Sequence, residues 1–161
     1  FGLMLTSEGP QLLEYNVRLG DPETQAILPR MESDIFRLLA ATADGRLGEE
    51  EPRWSPLAAV TVVAASGGYP GTYERGYPIT GLTIPTERSS LSIVDERPAV
   101  FPAGVACNGE GLLVTAGGRV LAVTALGDTP GAAREGAYRR LREIDFSGIY
   151  YRRDIPFFTD P

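Results

Sequence analysis

The segment Leu13-Glu14-Tyr15-Asn16-Val17-Arg18-Leu19 alternates apolar and polar residues. Read as a strand, this pattern sends Glu14, Asn16 and Arg18 to one face and Leu13, Tyr15, Val17 and Leu19 to the other. A carboxylate and an amide carbonyl two residues apart offer hard oxygen ligands suited to Mg²⁺, which usually fills its other positions with water and substrate phosphates. Arg18, one step further on that face, can hold a phosphoryl or acyl-phosphate group and offset charge that develops in transfer. The same alternation also fits a half-exposed strand with a solvated face, so spacing alone leaves both readings open.

The rest of the composition narrows the chemistry. The 161 residues contain no His, which removes imidazole as base, nucleophile partner or metal ligand. They also contain no Lys, so all 15 basic residues are Arg, and Schiff bases and a P-loop lysine are excluded. What remains is carboxylate, amide, guanidinium, backbone and hard-metal chemistry. A net charge of −6 argues against nucleic acid or an anionic membrane as the main partner. No segment approaches the roughly 18 apolar residues of a membrane span, and the single Cys107 cannot form an intrachain disulfide. These features predict a cytoplasmic protein. The opening Phe1-Gly2-Leu3-Met4-Leu5 has no basic n-region and reads as an interior strand rather than a secretory signal.

Several elements must position the polar triad. Residues 3–6 and 11–19 flank the turn Ser7-Glu8-Gly9-Pro10 and predict a β-hairpin. Apolar residues from Ile27 to Leu39 recur at helical spacing, with Pro29 expected to kink or restart that helix. Residues 46–56, polar and flanked by proline, read as a linker. Ala58–Ala65, Ile79–Ile84 and Val100–Cys107 read as strands. Leu112–Thr115 and Arg119–Leu126 flank Ala116-Gly117-Gly118 and predict a second hairpin. Thr129-Pro130 is a helix start, with Ala133, Ala137, Leu141 and Ile144 as its apolar stripe and Arg134, Arg139, Arg140 and Arg142 on its wet side. The tail from Ile149 to Pro161 is expected to pack back as a short strand.

The run Glu14-Tyr15-Asn16-Val17-Arg18-Leu19-Gly20-Asp21-Pro22-Glu23-Thr24-Gln25, followed by Leu28-Pro29-Arg30 and Ser33-Asp34, resembles the phosphoribosylamine–glycine ligase family of the ATP-grasp superfamily. The resemblance continues through Ala65-Ser66-Gly67-Gly68-Tyr69-Pro70-Gly71-Thr72-Tyr73-Glu74-Arg75-Gly76 and Ile79-Thr80-Gly81-Leu82. It then covers Val100-Phe101, Gly117-Gly118-Arg119 to Gly127-Asp128, and Tyr151-Arg152-Arg153-Asp154-Ile155. Two positions depart from the family pattern: Pro102 stands where a His is usual, and Pro156 where a Gly is usual.

The resemblance implies ATP-dependent joining of glycine to 5-phosphoribosylamine through a glycyl phosphate, a step of purine synthesis. It implies Glu14 and Asn16 as ligands of Mg²⁺ or Mn²⁺, and Arg18 as a catalytic arginine near the transferred phosphoryl group. The fold expected is α+β in two parts. Residues 1–48 would be the C-terminal end of an ATP-grasp domain, 49–56 a linker, and 57–161 a small β-rich hybrid-type C-terminal domain with one long helix. The implied partners are ATP, glycine, 5-phosphoribosylamine and missing upstream domains. The piece is expected to be inactive alone and to expose, in its first 48 residues, apolar surface that the upstream part covers.

Other residues admit plainer readings. Asp21 is expected to cap a helix with Pro22 at its first position, although Asp21 and Glu23 could also join a metal shell or orient an amine. The glycines of 67–76 and 117–118 suit turns, leaving Arg119 as a possible cleft residue. Cys107 is expected in the core and Trp54 between domains. A non-catalytic β-rich assembly or carrier module is the rival function, weakened by the lack of a lysine for biotin or lipoate. Another ATP-grasp ligase of purine synthesis would share Glu-x-Asn-x-Arg but not the Gly-Asp-Pro-Glu-Thr-Gln continuation.

Overall fold

The structure is a computed structural model that describes residues 2–82 and 98–155. Strands β1 (Gly2–Thr6) and β2 (Gly9–Glu14) form an antiparallel hairpin closed at the Thr6–Gly9 pair. Gly9 sits at φ 100°, a conformation that costs glycine nothing and explains its place at the turn exit. The strand is shorter than the alternating run: it stops at Glu14, so Asn16 and Arg18 lie beyond it.

Helix α1 (Glu23–Ile27) runs into a single 3₁₀ turn over Leu28–Arg30, and α2 (Ile35–Ala43) begins afresh. Pro29 sits inside the 3₁₀ turn, and the Asp34 side chain accepts from the Phe36 amide at 2.8 Å, so the second helix has its own N-cap. The expected helical stretch is therefore two helices with a break. The expected linker 46–56 is tied down. Ser55 donates its amide to the Arg30 carbonyl, the Glu32 amide donates to the Arg53 carbonyl, and Met31 and Trp54 form an isolated bridge.

The core is a three-stranded antiparallel sheet in the order β3 (Ala58–Ala65), β7 (Arg119–Gly127), β4 (Ala99–Pro102). Helix α3 (Pro130–Leu141) covers it. Thr129 caps α3 by accepting from the Ala132 amide at 3.1 Å, with Pro130 at the first position, as the Thr-Pro pair predicts. Ala137, Leu141 and Ile144 join Val62, Leu121 and Val123 in one buried cluster, and Ala133 is buried as well. The small alanines let the helix approach the sheet, while Leu141 and Tyr138 supply apolar area.

Strands β5 (Val105–Cys107) and β6 (Leu113–Thr115) form a separate antiparallel pair. This corrects two expectations. Val100–Cys107 is two strands in two sheets, and Ala116-Gly117-Gly118 is a crossover from β6 to β7 rather than a hairpin turn. The physical reason is the corner at Gly104. A Cβ there would lie 2.6 Å from Gly117 Cα and 2.7 Å from the Arg119 carbonyl, so the two backbones pass at a distance that only glycine permits. Cys107 is exposed, not buried, because β5 is an outer, three-residue strand.

Residues 79–82 form no strand, only an isolated bridge of Thr80 with Asp145; positions 83 and 84 of that expected strand lie outside the described residues. Tyr150 bridges Ala65, which returns the chain toward β3, while Phe157 and Phe158 lie outside the described residues. Arg134 is not simply solvated: its Nε and Nη2 donate to the Ile155 and Arg153 carbonyls, and its guanidinium covers the Tyr138 ring. No helix among the described residues is long and apolar enough to cross a membrane.

Candidate functional site

The polar triad is assembled differently from a strand face. β2 delivers Glu14 at its last position, and the chain then leaves the ladder. Asn16 nevertheless returns to Glu14, its Nδ2 donating to Oε1 at 3.0 Å. Amide nitrogen and carboxylate thus satisfy one another, and Glu14 Oε2 and Asn16 Oδ1 keep lone pairs for a cation. Gly2 opposite Glu14 makes room for this, since a Cβ there would stand 2.8 Å from Glu14 Cγ.

Arg18 is exposed and donates from Nη1 to the Leu19 carbonyl at 3.0 Å. Among the described residues no hydrogen bond or ion pair joins it to Glu14 or Asn16. The structure therefore brings together two of the three residues singled out by spacing. No group of three or more His, Cys, Asp and Glu among the described residues could hold a metal ion. Two oxygen donors would supply only part of a shell, which is what Mg²⁺ accepts from protein when phosphate and water provide its other ligands.

The loop after the triad is held by side chains. Asp21 does not cap α1: Pro22 occupies the N-cap position without a side-chain bond. Asp21 Oδ1 instead accepts from Gln25 Nε2 at 2.9 Å, while Oδ2 lies 3.2 Å from Arg119 Nη2. Arg119 Nη1 also donates to the Asp21 backbone carbonyl at 2.8 Å. Glu23 folds back over Gly20, where a Cβ would stand 3.1 Å from its carboxyl carbon. Residue spacing could not reveal the Arg119–Asp21 contact, because it joins positions 98 apart.

The remaining expected features are structural. Gly68 and Gly76 adopt φ values of 94° and 87°. Ser66 fixes the base of that loop, donating Oγ to the Gly117 carbonyl at 2.9 Å. Gly118 lies under the Tyr69 ring with no room for a side chain. Trp54 lines a shallow cleft with Ala26, Ile27, Arg30 and Ala59 and is partly exposed. Most of the exposed large apolar side chains among the described residues precede residue 48, including Leu5, Leu13, Val17 and Phe36.

Comparison with known proteins gives this arrangement its context. Residues 59–157 match the sequence model of the phosphoribosylglycinamide synthetase C domain. The chain belongs to the phosphoribosylamine–glycine ligase family. It is 47% identical over 154 residues to the phosphoribosylamine–glycine ligase of Caldanaerobacter subterraneus, covering 96% of this chain and 34% of that protein. It is 48% identical over 158 residues to the corresponding ligase of a Nostoc species, covering 97% and 35% respectively. The crystal structure of phosphoribosylamine–glycine ligase from Thermotoga maritima superposes with a TM-score of 0.68 at 41% identity, covering 96% of this chain and 36% of that one. The chain thus spans about a third of the length of the curated relatives it matches. The mixed helix and strand fold agrees with that family.

Proposed function

We propose that the chain is the C-terminal portion of an enzyme that joins glycine to 5-phosphoribosylamine at the expense of ATP. ATP phosphorylates the glycine carboxylate and ADP leaves; the amine of phosphoribosylamine then attacks the glycyl carbonyl, and phosphate departs. The observation that carries this reading is the Glu14–Asn16 pair, joined by the 3.0 Å hydrogen bond from Asn16 Nδ2 to Glu14 Oε1, in a chain of which 96% aligns with a phosphoribosylamine–glycine ligase.

Glu14 and Asn16 hold Mg²⁺ or Mn²⁺ in this reading, and the ion supplies charge neutralisation on the phosphates when bound. Glu14 contributes a carboxylate oxygen and Asn16 its amide oxygen. Arg18, with most of its guanidinium donors facing solvent, contributes positive charge to the transferred phosphoryl group as the catalytic arginine. Phosphoryl transfer needs positioning and charge more than an acid–base pair, which accords with a chain that has no histidine.

Residues 1–48 close an ATP-grasp domain, 49–56 join it to the next unit, and 57–161 form the β-rich C-terminal domain. The start of the family match at residue 59 supports that boundary. The exposed apolar side chains of the hairpin and α2 support an upstream part of the same enzyme packing there. The enzyme acts on small molecules in the cytoplasm.

The test is Mg²⁺- and ATP-dependent phosphate release with glycine and phosphoribosylamine. It is run on this chain alone and on the chain mixed with the upstream portion of a relative. Activity is expected only in the mixture and is lost with Glu14→Ala. Activity that survives Glu14→Ala overturns the metal assignment.

A further inference from the structure

Strand β7 carries two anchors for the segment that follows the Glu14–Asn16 pair. At its start, Arg119 holds both the backbone carbonyl of Asp21, at 2.8 Å, and its carboxylate, at 3.2 Å. Five residues on, Thr124 Oγ1 donates to the Gln25 carbonyl at 2.9 Å. Thr124 is 2% exposed and sits opposite Thr61 in the β3–β7 ladder, with the two hydroxyl oxygens 2.7 Å apart. Its one proton goes to Gln25, so Thr61 must donate to Thr124, giving a directed chain from β3 through β7 to the backbone of α1.

Between β2 and α1 the chain makes no sheet ladder. Residues 15–22 belong to no strand or helix, and Val17 is 97% exposed. Hydrogen bonds at its two ends help to order such a segment. One end is Glu14 in β2; the other is the stretch from Asp21 to Gln25, whose partners on β7 are Arg119 and Thr124. A guanidinium that bonds a carbonyl and a carboxylate of one residue sets orientation as well as distance, which a single point charge cannot do.

We propose that Arg119 and Thr124 are positioning residues for the ligation, clamping the loop 15–22 from the C-terminal sheet so that Asn16 is held beside Glu14, with Arg18 following in the same loop. This rests on the metal role proposed for Glu14 and Asn16. It gives the C-terminal sheet a part in the active site through side chains that hold the backbone of another segment. It also explains why a surface ion pair, ordinarily of small energetic worth, is built with a second bond to the backbone.

The test uses the full-length protein that carries these residues, with Arg119→Ala, Arg119→Lys, Thr124→Val and Glu14→Ala. Three quantities are read: Mn²⁺ affinity by electron paramagnetic resonance, kcat with its Mg²⁺ dependence, and amide exchange across residues 15–25. Arg119→Ala is expected to weaken Mn²⁺ binding and lower kcat by about tenfold or more, the range seen when a partner supporting a metal ligand is removed. Exchange in 15–25 should accelerate while β3 and α3 keep their protection. Arg119→Lys should recover part of each effect, since an ammonium can still reach the Asp21 carbonyl, and Thr124→Val should act in the same direction. Unchanged Mn²⁺ affinity and exchange in Arg119→Ala, beside lost affinity in Glu14→Ala, overturn the positioning role alone. Retained affinity in Glu14→Ala overturns the metal assignment and the positioning role with it.

Discussion

Gly104 and Gly117 meet backbone to backbone, and this contact turns the chain out of the core sheet and back into it. The Gly104 amide donates to the Arg119 carbonyl at 2.9 Å, and the Ala116 amide donates to the Gly104 carbonyl at 2.7 Å. A methyl group on Gly104 would stand 2.6 Å from Gly117 Cα, with backbone rather than a yielding side chain in its way. Gly104→Ala should therefore destabilise the chain by about 1–3 kcal/mol or more, the usual cost of overpacking. Urea titration checks this, and an unchanged midpoint would show that the corner can open without loss.

Leu141 is fully buried at the end of α3, packed over the sheet beside Ile144 and Phe146. Leu141→Ala removes that area and leaves a cavity, for an expected loss of about 2–5 kcal/mol. The same denaturant titration measures it. A loss below ~1 kcal/mol would mean that α3 collapses onto the sheet to refill the space.

The Thr129 side chain caps the first turn of α3 by accepting from the Ala132 amide. Thr129→Ala should cost about 1 kcal/mol, while Thr129→Gly should cost only a few tenths because glycine also suits the cap position. Equal losses in both variants would assign the effect to something other than the capping bond.

The hairpin of β1 and β2 exposes Leu3, Met4, Leu5, Leu12 and Leu13 and has no third strand among the described residues. A two-stranded hairpin is marginal in water by itself. In the 161-residue chain its amides should exchange far faster than those of β3 and β7, and adding an upstream portion of a relative should slow them. Uniform protection throughout the isolated chain would show that the hairpin needs no further partner.

The Asp154 carboxyl is held below the usual carboxylate range, first by the side-chain hydrogen bond from Arg152 and then by backbone hydrogen bonding. A carboxyl depressed in the folded state stabilises above its unfolded pKa and loses that contribution as pH falls through the folded one. The pair is exposed, so the effect on stability is small, but the titration itself is visible. In a carbon-detected NMR titration the Asp154 midpoint should lie below the usual carboxylate range, and Arg152→Ala should move it upward, because the largest lowering contact is removed.

The sequence by itself determined what depends on neighbours a few residues apart. The turn between β1 and β2, the whole of β3, and α3 with its Thr129 cap and Ala133-Ala137-Leu141 stripe all follow from local geometry and apolar period. The absence of His and Lys restricted the chemistry before any fold was known, and the alternation at Glu14 and Asn16 marked the residues that the structure does bring together. Only the tertiary structure decided what depends on approaches between distant segments. Val100–Cys107 reads as one strand because apolar periodicity carries no sign of a corner, and the corner exists only because Gly117 arrives opposite Gly104. Gly117-Gly118 reads as a hairpin because turn chemistry does not say which strand comes next to which. Asp21 reads as a cap because its sequence context suits one, yet its carboxylate is taken by Arg119 and Gln25. Local preferences are worth about 1 kcal/mol each, and the packing of a sheet can override them wherever two backbones or a buried hydroxyl such as that of Thr124 must meet.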